Sequence, residues 1–306
     1  MGKFVVETKG LVKDFSDVKS VDNLDLRVRE GEIYGFLGPN GAGKSTTIKI
    51  ILGLLKPSSG EVKVFGKSIE KDREEILSDI GALVESPSYY GHLTAYENLE
   101  ILRRVLNLNR EEIEDKLRLV GLWNVRNKKV KEFSLGMKQR LGIAEALMGD
   151  PKLLILDEPT NGLDPAGIIE IRYLIKKLVK EKNITIIISS HILSEIELIA
   201  TEVAVINKGK LLYQGSLENL KKNSSNEVII GLENYKVKNE VIKLLSARGY
   251  KALEEGENLK VKGSNLTPSK ICKELVMSGY DLNYLSQEKS SLEEIFLGLT
   301  KEEDLC

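Results

Sequence analysis

Residues 38–45 read Gly38-Pro39-Asn40-Gly41-Ala42-Gly43-Lys44-Ser45, a full match to G-x-x-x-x-G-K-[ST]. This stretch constrains the fold more than any other. The "EIYGFLG" that leads into it is an apolar run of strand type, and the "KSTTIKIILGLL" that follows has helical apolar spacing. A glycine-rich turn between a buried strand and a helix lets backbone N–H groups turn inward around phosphate oxygens. The helix N-terminus adds a partial positive charge there. Lys44 has the reach for β- and γ-phosphates, and the Ser45 hydroxyl suits Mg²⁺. Gly38 through Thr46 are therefore the expected contacts of a nucleoside triphosphate such as ATP.

Such a loop needs an acid on the metal side, and "PKLLILDEPTNGLDP" supplies one. Leu153 to Leu156 form the uninterrupted apolar run of a buried parallel strand. At its end, Asp157 is placed to hold Mg²⁺ through water. Glu158, one residue on, is placed to polarise an attacking water as general base. "SLGMKQRLGIAEALMG" has helical periodicity with Ser134 at the N-cap, itself a favourable anion position.

With these motifs in order, the chain resembles the nucleotide-binding subunit of an ATP-binding cassette (ABC) transporter over about Phe4 to Leu220. "FSLGMKQR" resembles the family signature, "NGLD" (Asn161 to Asp164) the D-loop, and "IISSHILSEIE" places His191 at the switch histidine. The resemblance implies several roles. Phe15 stacks on adenine, where Tyr is more usual. Ser134 and Gly136 contact the γ-phosphate held by a second subunit, Asp164 contributes from the D-loop, and His191 helps align water and Glu158. It also implies a head-to-tail dimer of two such subunits with ATP between them, and a separate polytopic permease. That permease would hold the chain at the cytoplasmic face of the membrane.

Leu135 and Met137 stand where the signature has Gly and Gln, and Glu145 stands where Arg is usual. Glu85, in "LVESP", takes the place of a glutamine that contacts Mg²⁺ and water and faces the permease. A carboxylate there keeps an oxygen at similar reach and adds a charge. That charge would tighten metal binding or oppose closure; a tolerated surface substitution is the competing reading. Glu85 and the neighbouring motifs resemble a subgroup of exporters that protect bacteria against bacitracin-like and lantibiotic peptides. The permease would then dock at the Glu85 loop and the helical subdomain.

The expected fold is a P-loop NTPase of the ABC-ATPase type over 1–222: a RecA-like core, an antiparallel β subdomain and a helical subdomain. After "YQGSLENLKKNSSNE", residues 223–306 read strand-helix-strand-strand-helix-strand, the ferredoxin-like order, and carry no chemical motif. An accessory or dimer-supporting role is expected for them. A terminal helix opens on a Ser291/Glu294 capping box. The net charge of −1 gives no electrostatic case for nucleic acid. Cys272 and Cys306 form neither a disulfide framework nor a metal spacing, which points to a reducing compartment. "MGKFVVETKG" has no apolar signal core, Val6 argues against myristoylation at Gly2, and "IKIILGLLKP" is too short to span a bilayer. The alternative outside transport is a soluble ABC ATPase of translation or repair. Against it stand the single cassette and the lack of sustained heptads between Lys44 and Ser134.

Overall fold

The computed structural model describes residues 3–16, 18–84, 89–223, 227–263, 266–288 and 291–303. Glu85, the site candidate of the "LVESP" loop, lies outside them. The chain divides into two compact units, Met1–Leu217 and Glu218–Cys306.

The first unit begins with β1 (Phe4–Phe15), β2 (Val18–Leu24), β3 (Arg27–Arg29) and β4 (Ile33–Leu37). After the glycine-rich loop come α1 (Lys44–Ile51), β5 (Ser59–Val64), β6 (Lys67–Ser68), α2 (Arg73–Leu77) and β7 (Ile80–Leu83). Strands β2, β1, β5 and β6 form an antiparallel sheet in that order, with β3 also pairing with β1. This is the expected β subdomain. Its inward residues Val6, Leu11, Leu24 and Val64 share one core with Ile48, Ile50 and Ile51 of α1 and with Tyr34 and Phe36 of β4. The phosphate-loop helix is thereby fixed on both sides.

Helices α3 (Ala95–Val105), α4 (Glu111–Leu119) and α5 (Leu135–Ala146) pack together as a helical subdomain. Helix α3 starts on a capping box: Glu97 N donates to Thr94 Oγ1 at 3.1 Å, and Thr94 N to Glu97 Oε2 at 2.7 Å. Lys116 of α4, 4% exposed, pairs with Asp150 beyond α5 at 2.8 Å, so the buried ammonium has a counter-ion.

The chain then enters β8 (Leu153–Asp157), α6 (Pro165–Lys182), β9 (Thr185–Ser190), α7 (Leu193–Glu197), β10 (Glu202–Asn207) and β11 (Lys210–Ser216). The central sheet has the order β11-β10-β4-β9-β8-β7. Every neighbouring pair is parallel except β10–β11. All residues of β4, β8 and β9 are buried, as their apolar runs require for strands covered on both faces. Register aligns Leu37 with Ser190 and Asp157 with Ser189, so the carboxyl ends of β4, β9 and β8 finish at one level. In open parallel sheets, ligands bind at that edge.

Helix α8 spans Leu217–Asn223. The second unit contains β12 (Glu227–Leu232), α9 (Lys238–Ala247), β13 (Lys251–Glu255), β14 (Asn258–Lys262), α10 (Pro268–Met277), β15 (Leu282–Glu288) and α11 (Leu292–Glu303). Its antiparallel sheet has the order β13-β14-β12-β15, the ferredoxin-like arrangement expected from the order of elements. Val241 and Leu245 of α9 and Ile271 and Leu275 of α10 close one core with Val228, Ile230 and Val261. Helix α11 opens on the Ser291/Glu294 capping box.

Candidate functional site

Gly43 is the N-cap of α1, and no side chain caps the helix there. Its φ of 102° lies in the left-handed region, and a Cβ would meet Ser20 O at 2.3 Å. Only glycine fits, and the first turn's N–H groups stay open to an anion. Ser20 of β2 reaches the same turn, with its hydroxyl 2.9 Å from Thr46 Oγ1.

Lys44 is 6% exposed, and its ammonium is held over the loop by carbonyls. Nζ donates to Gly38 O at 2.7 Å and to Pro39 O at 3.2 Å, and lies 3.5 Å from Glu158 Oε1. Glu158 follows the end of β8 in the left-handed region, φ 51°. For a residue with a side chain this costs on the order of 1 kcal/mol. The turn lifts its carboxylate toward the loop: Oε1 faces Lys44, and Oε2 makes a 2.6 Å hydrogen bond with His191 Nδ1. Asp157, 6% exposed, accepts a hydrogen bond from the Ser189 hydroxyl.

A cavity of about 240 Å³ opens over this constellation. Asn40, Lys44, Ser45, Glu158, Asn161 and His191 are among the residues that line it, as are Ser20, Gly41, Gly43 and Thr46. Gly38 and Pro39 serve through their carbonyls, and buried Ala42 N bonds Pro39 O at 3.1 Å to tighten the loop. A cation beside a carboxylate bonded to an imidazole can bind a polyphosphate and polarise a water.

The remaining sequence candidates lie elsewhere. Phe15 does not line the cavity; it is 47% exposed, with Lys13 Nζ 5.0 Å from its ring centre. Ser134 caps α5 through Met137 N at 3.3 Å. Asp164 caps α6, accepting from Gly167 N at 3.0 Å. Leu135 Cδ2 and Leu163 Cδ2 lie 3.1 Å and 3.9 Å from where side chains on Gly162 and Gly136 would begin. The α5 N-terminus therefore touches the "NGLD" loop of its own chain.

The donors on hand suit a hard divalent cation: the Ser45 hydroxyl and the Asp157 carboxylate are oxygen ligands. Among the described residues, no group of three or more His, Cys, Asp or Glu side chains could hold a metal by itself.

Sequence reasoning missed Ser20, Asn161 and Ser189. Asn161 and Ser189 stood inside quoted stretches without being assigned a role; Ser20 carries no local signal, because strand packing puts it there. It also left Glu145 without an account. Burial in the face of α5 pushes the Glu145 carboxyl up to about 7. Tyr89 donates to Lys138 O on the same helix at 2.6 Å. Its phenol is raised by burial and then by Glu145. With its carboxyl raised, Glu145 carries less charge near neutral pH than an exposed glutamate would, at a position where charge is costly.

A family model described as ABC transporter matches residues 21–161. The bacitracin transport ATP-binding protein BcrA of Bacillus licheniformis is 44% identical over 300 residues, 96% of this chain and 97% of BcrA. The lantibiotic transport ATP-binding protein SrtF of Streptococcus pyogenes is 43% identical over 229 residues, 74% of this chain and 98% of SrtF. The dimeric post-hydrolysis structure of the ATP-binding cassette MJ0796, bound to ADP and Pi, superposes with a TM-score of 0.62. Its identity is 27%, and the match covers 69% of this chain and 98% of the other.

Proposed function

Because the chain belongs to the family of ABC transporter ATP-binding proteins, whose reaction is ATP hydrolysis coupled to transport, we propose that it powers export of a bacitracin- or lantibiotic-like peptide through a separate permease. The observation that carries the ATPase part is the convergence of Lys44, Glu158 and His191 on one cavity above the phosphate loop. The cargo class rests on similarity along nearly the whole chain to a bacitracin transport protein. The soluble translation or repair reading has no such support.

In this reading the loop amides and Lys44 hold the β- and γ-phosphates. Ser45 directly and Asp157 through water would hold Mg²⁺, which would neutralise phosphate charge. Glu158 accepts the proton of the attacking water, and His191 keeps the carboxylate aimed. Ser134, Gly136 and Asp164 act across a head-to-tail dimer; the solved MJ0796 cassette is itself dimeric. Phe15 is the aromatic that stacks on the adenine ring. Among the described residues no helix is long and apolar enough to cross a membrane. In the proposed assembly the permease holds the chain at the cytoplasmic face. The permease docks at the Glu85 loop and the helical subdomain. The cassette occupies 1–222, and 223–306 is an accessory domain.

The test has two arms. Purified chain is assayed for phosphate release with Mg²⁺-ATP, beside Glu158→Gln, which should keep nucleotide binding while turnover falls by about 10²–10⁴-fold. The host strain lacking this chain is then challenged with bacitracin and a lantibiotic. Hydrolysis unaffected by Glu158→Gln refutes the proposed base. Unchanged sensitivity to both peptides refutes the cargo.

A further inference from the structure

Strand β9 ends in Ser189-Ser190-His191, and the sequence reading assigns a role to His191 alone. Ser189 is fully buried, at 0% exposure, and pairs in register with Asp157 of β8. Its hydroxyl is committed in two directions: Oγ donates to Asp157 Oδ1, and Glu158 N donates to Oγ at 3.0 Å. A hydroxyl has one hydrogen and two lone pairs, so the proton is taken by one acid and a lone pair by the backbone of the next. The same amide also lies 3.3 Å from Ser189 O, so the hydroxyl is the shorter of its two contacts with this residue.

Asp157 is a buried carboxylate and needs a donor. With Oδ1 held by Ser189, Oδ2 is the oxygen that would remain available to a metal-bound water. Glu158 sits in the left-handed region, and its amide is tied to Ser189 at the point where the chain turns. Two residues on, His191 engages the carboxylate of that same glutamate. One strand end therefore clamps the metal-side acid, the backbone of the base and the carboxylate of the base.

We propose that Ser189 is a positioning residue for hydrolysis: its hydroxyl fixes the rotamer of Asp157 and the turn that aims Glu158. The proposal rests on the ATPase reading above. It predicts a defect in turnover and metal use that exceeds any defect in nucleotide binding.

The experiment compares full-length wild type, Ser189→Ala and Ser189→Thr, the last restoring a hydroxyl. Ser189→Ala should lower kcat by about 10–100-fold, the usual effect of losing a group that orients metal ligands. KM for ATP should move by no more than about 3-fold, because ground-state phosphate contacts are untouched. Ser189→Thr should recover most of the loss. The second readout is binding of a fluorescent ATP analogue in the Glu158→Gln background. There Ser189→Ala should raise by about 10-fold the Mg²⁺ concentration that half-saturates the gain in affinity. If Ser189→Ala lowers only the melting temperature, leaving kcat and the Mg²⁺ requirement unchanged, the proposal is overturned. Failure of Ser189→Thr to rescue, with an unshifted Mg²⁺ requirement, overturns it too. Were the wild type to bind Mg²⁺-nucleotide without hydrolysing it, the ATPase reading would fail, and the binding arm would still decide the role of Ser189.

Discussion

Replacing Glu145 by Gln should stabilise the protein at alkaline pH and leave it unchanged at acid pH. Burial on α5 raises this carboxyl from its ordinary 4.5 to about 7. Its neighbour Tyr89 stays neutral throughout, since its own ionisation is pushed up. The sign follows from linkage. The folded state holds the proton more tightly than the unfolded state, so stability is full below about pH 4.5. It declines as pH rises through about 7. Above that range the charged form costs about 3 kcal/mol at about 1.4 kcal/mol per pH unit, an upper bound because local relaxation lowers it. The amide of Gln keeps the shape and never ionises. For a unit this size, about 3 kcal/mol corresponds to about 6–12 °C in Tm. The assay is thermal unfolding of wild type and Glu145→Gln at about pH 5 and pH 8.5, read as the difference between the two proteins so that other titrations cancel. An equal Tm difference at both pH values would refute the argument, since it would mean that Glu145 is charged, or neutral, in both states.

Gly43→Ala should abolish measurable ATP affinity and lower Tm, because the new methyl group meets Ser20 O and the backbone must leave its left-handed conformation. Nucleotide titration and melting check it, and near-wild-type affinity would contradict the reading of the loop. A chain ending after Asn223 should still fold and hydrolyse ATP, because the first unit has its own core and SrtF is matched almost entirely by 229 residues. Phosphate release by the truncated protein measures this; an insoluble or nucleotide-free product would show that the second unit is needed for the first to work.

Local features were legible where the physics is local. The phosphate loop announces itself because only glycines take its turns. The apolar runs in β4 and β8 mark strands whose two faces are covered. Ser134 and the Ser291/Glu294 pair cap helices within three residues of themselves, so their spacing suffices. Less legible were the contacts of side chains whose expected roles lie toward a ligand or a second subunit. Asp164 looks like part of a nucleotide site in the sequence, yet its carboxylate is engaged in capping its own helix. Phe15 carries an aromatic ring suited to adenine, yet lies exposed beside Lys13. Both assigned roles depend on a nucleotide or a second subunit, and a motif does not specify those contacts by itself.

By itself, then, the sequence determined the class of chemistry. Glycine's conformational freedom, a lysine at fixed reach and acids at the end of an apolar strand are covalent facts about neighbours in the chain. Sheet register decided the rest. Asp157 and Ser189 are thirty-two residues apart in the chain and meet only because β8 and β9 pair in parallel. Tertiary packing also set the charge state of Glu145, since desolvation depends on what surrounds a carboxyl and not on which residues flank it.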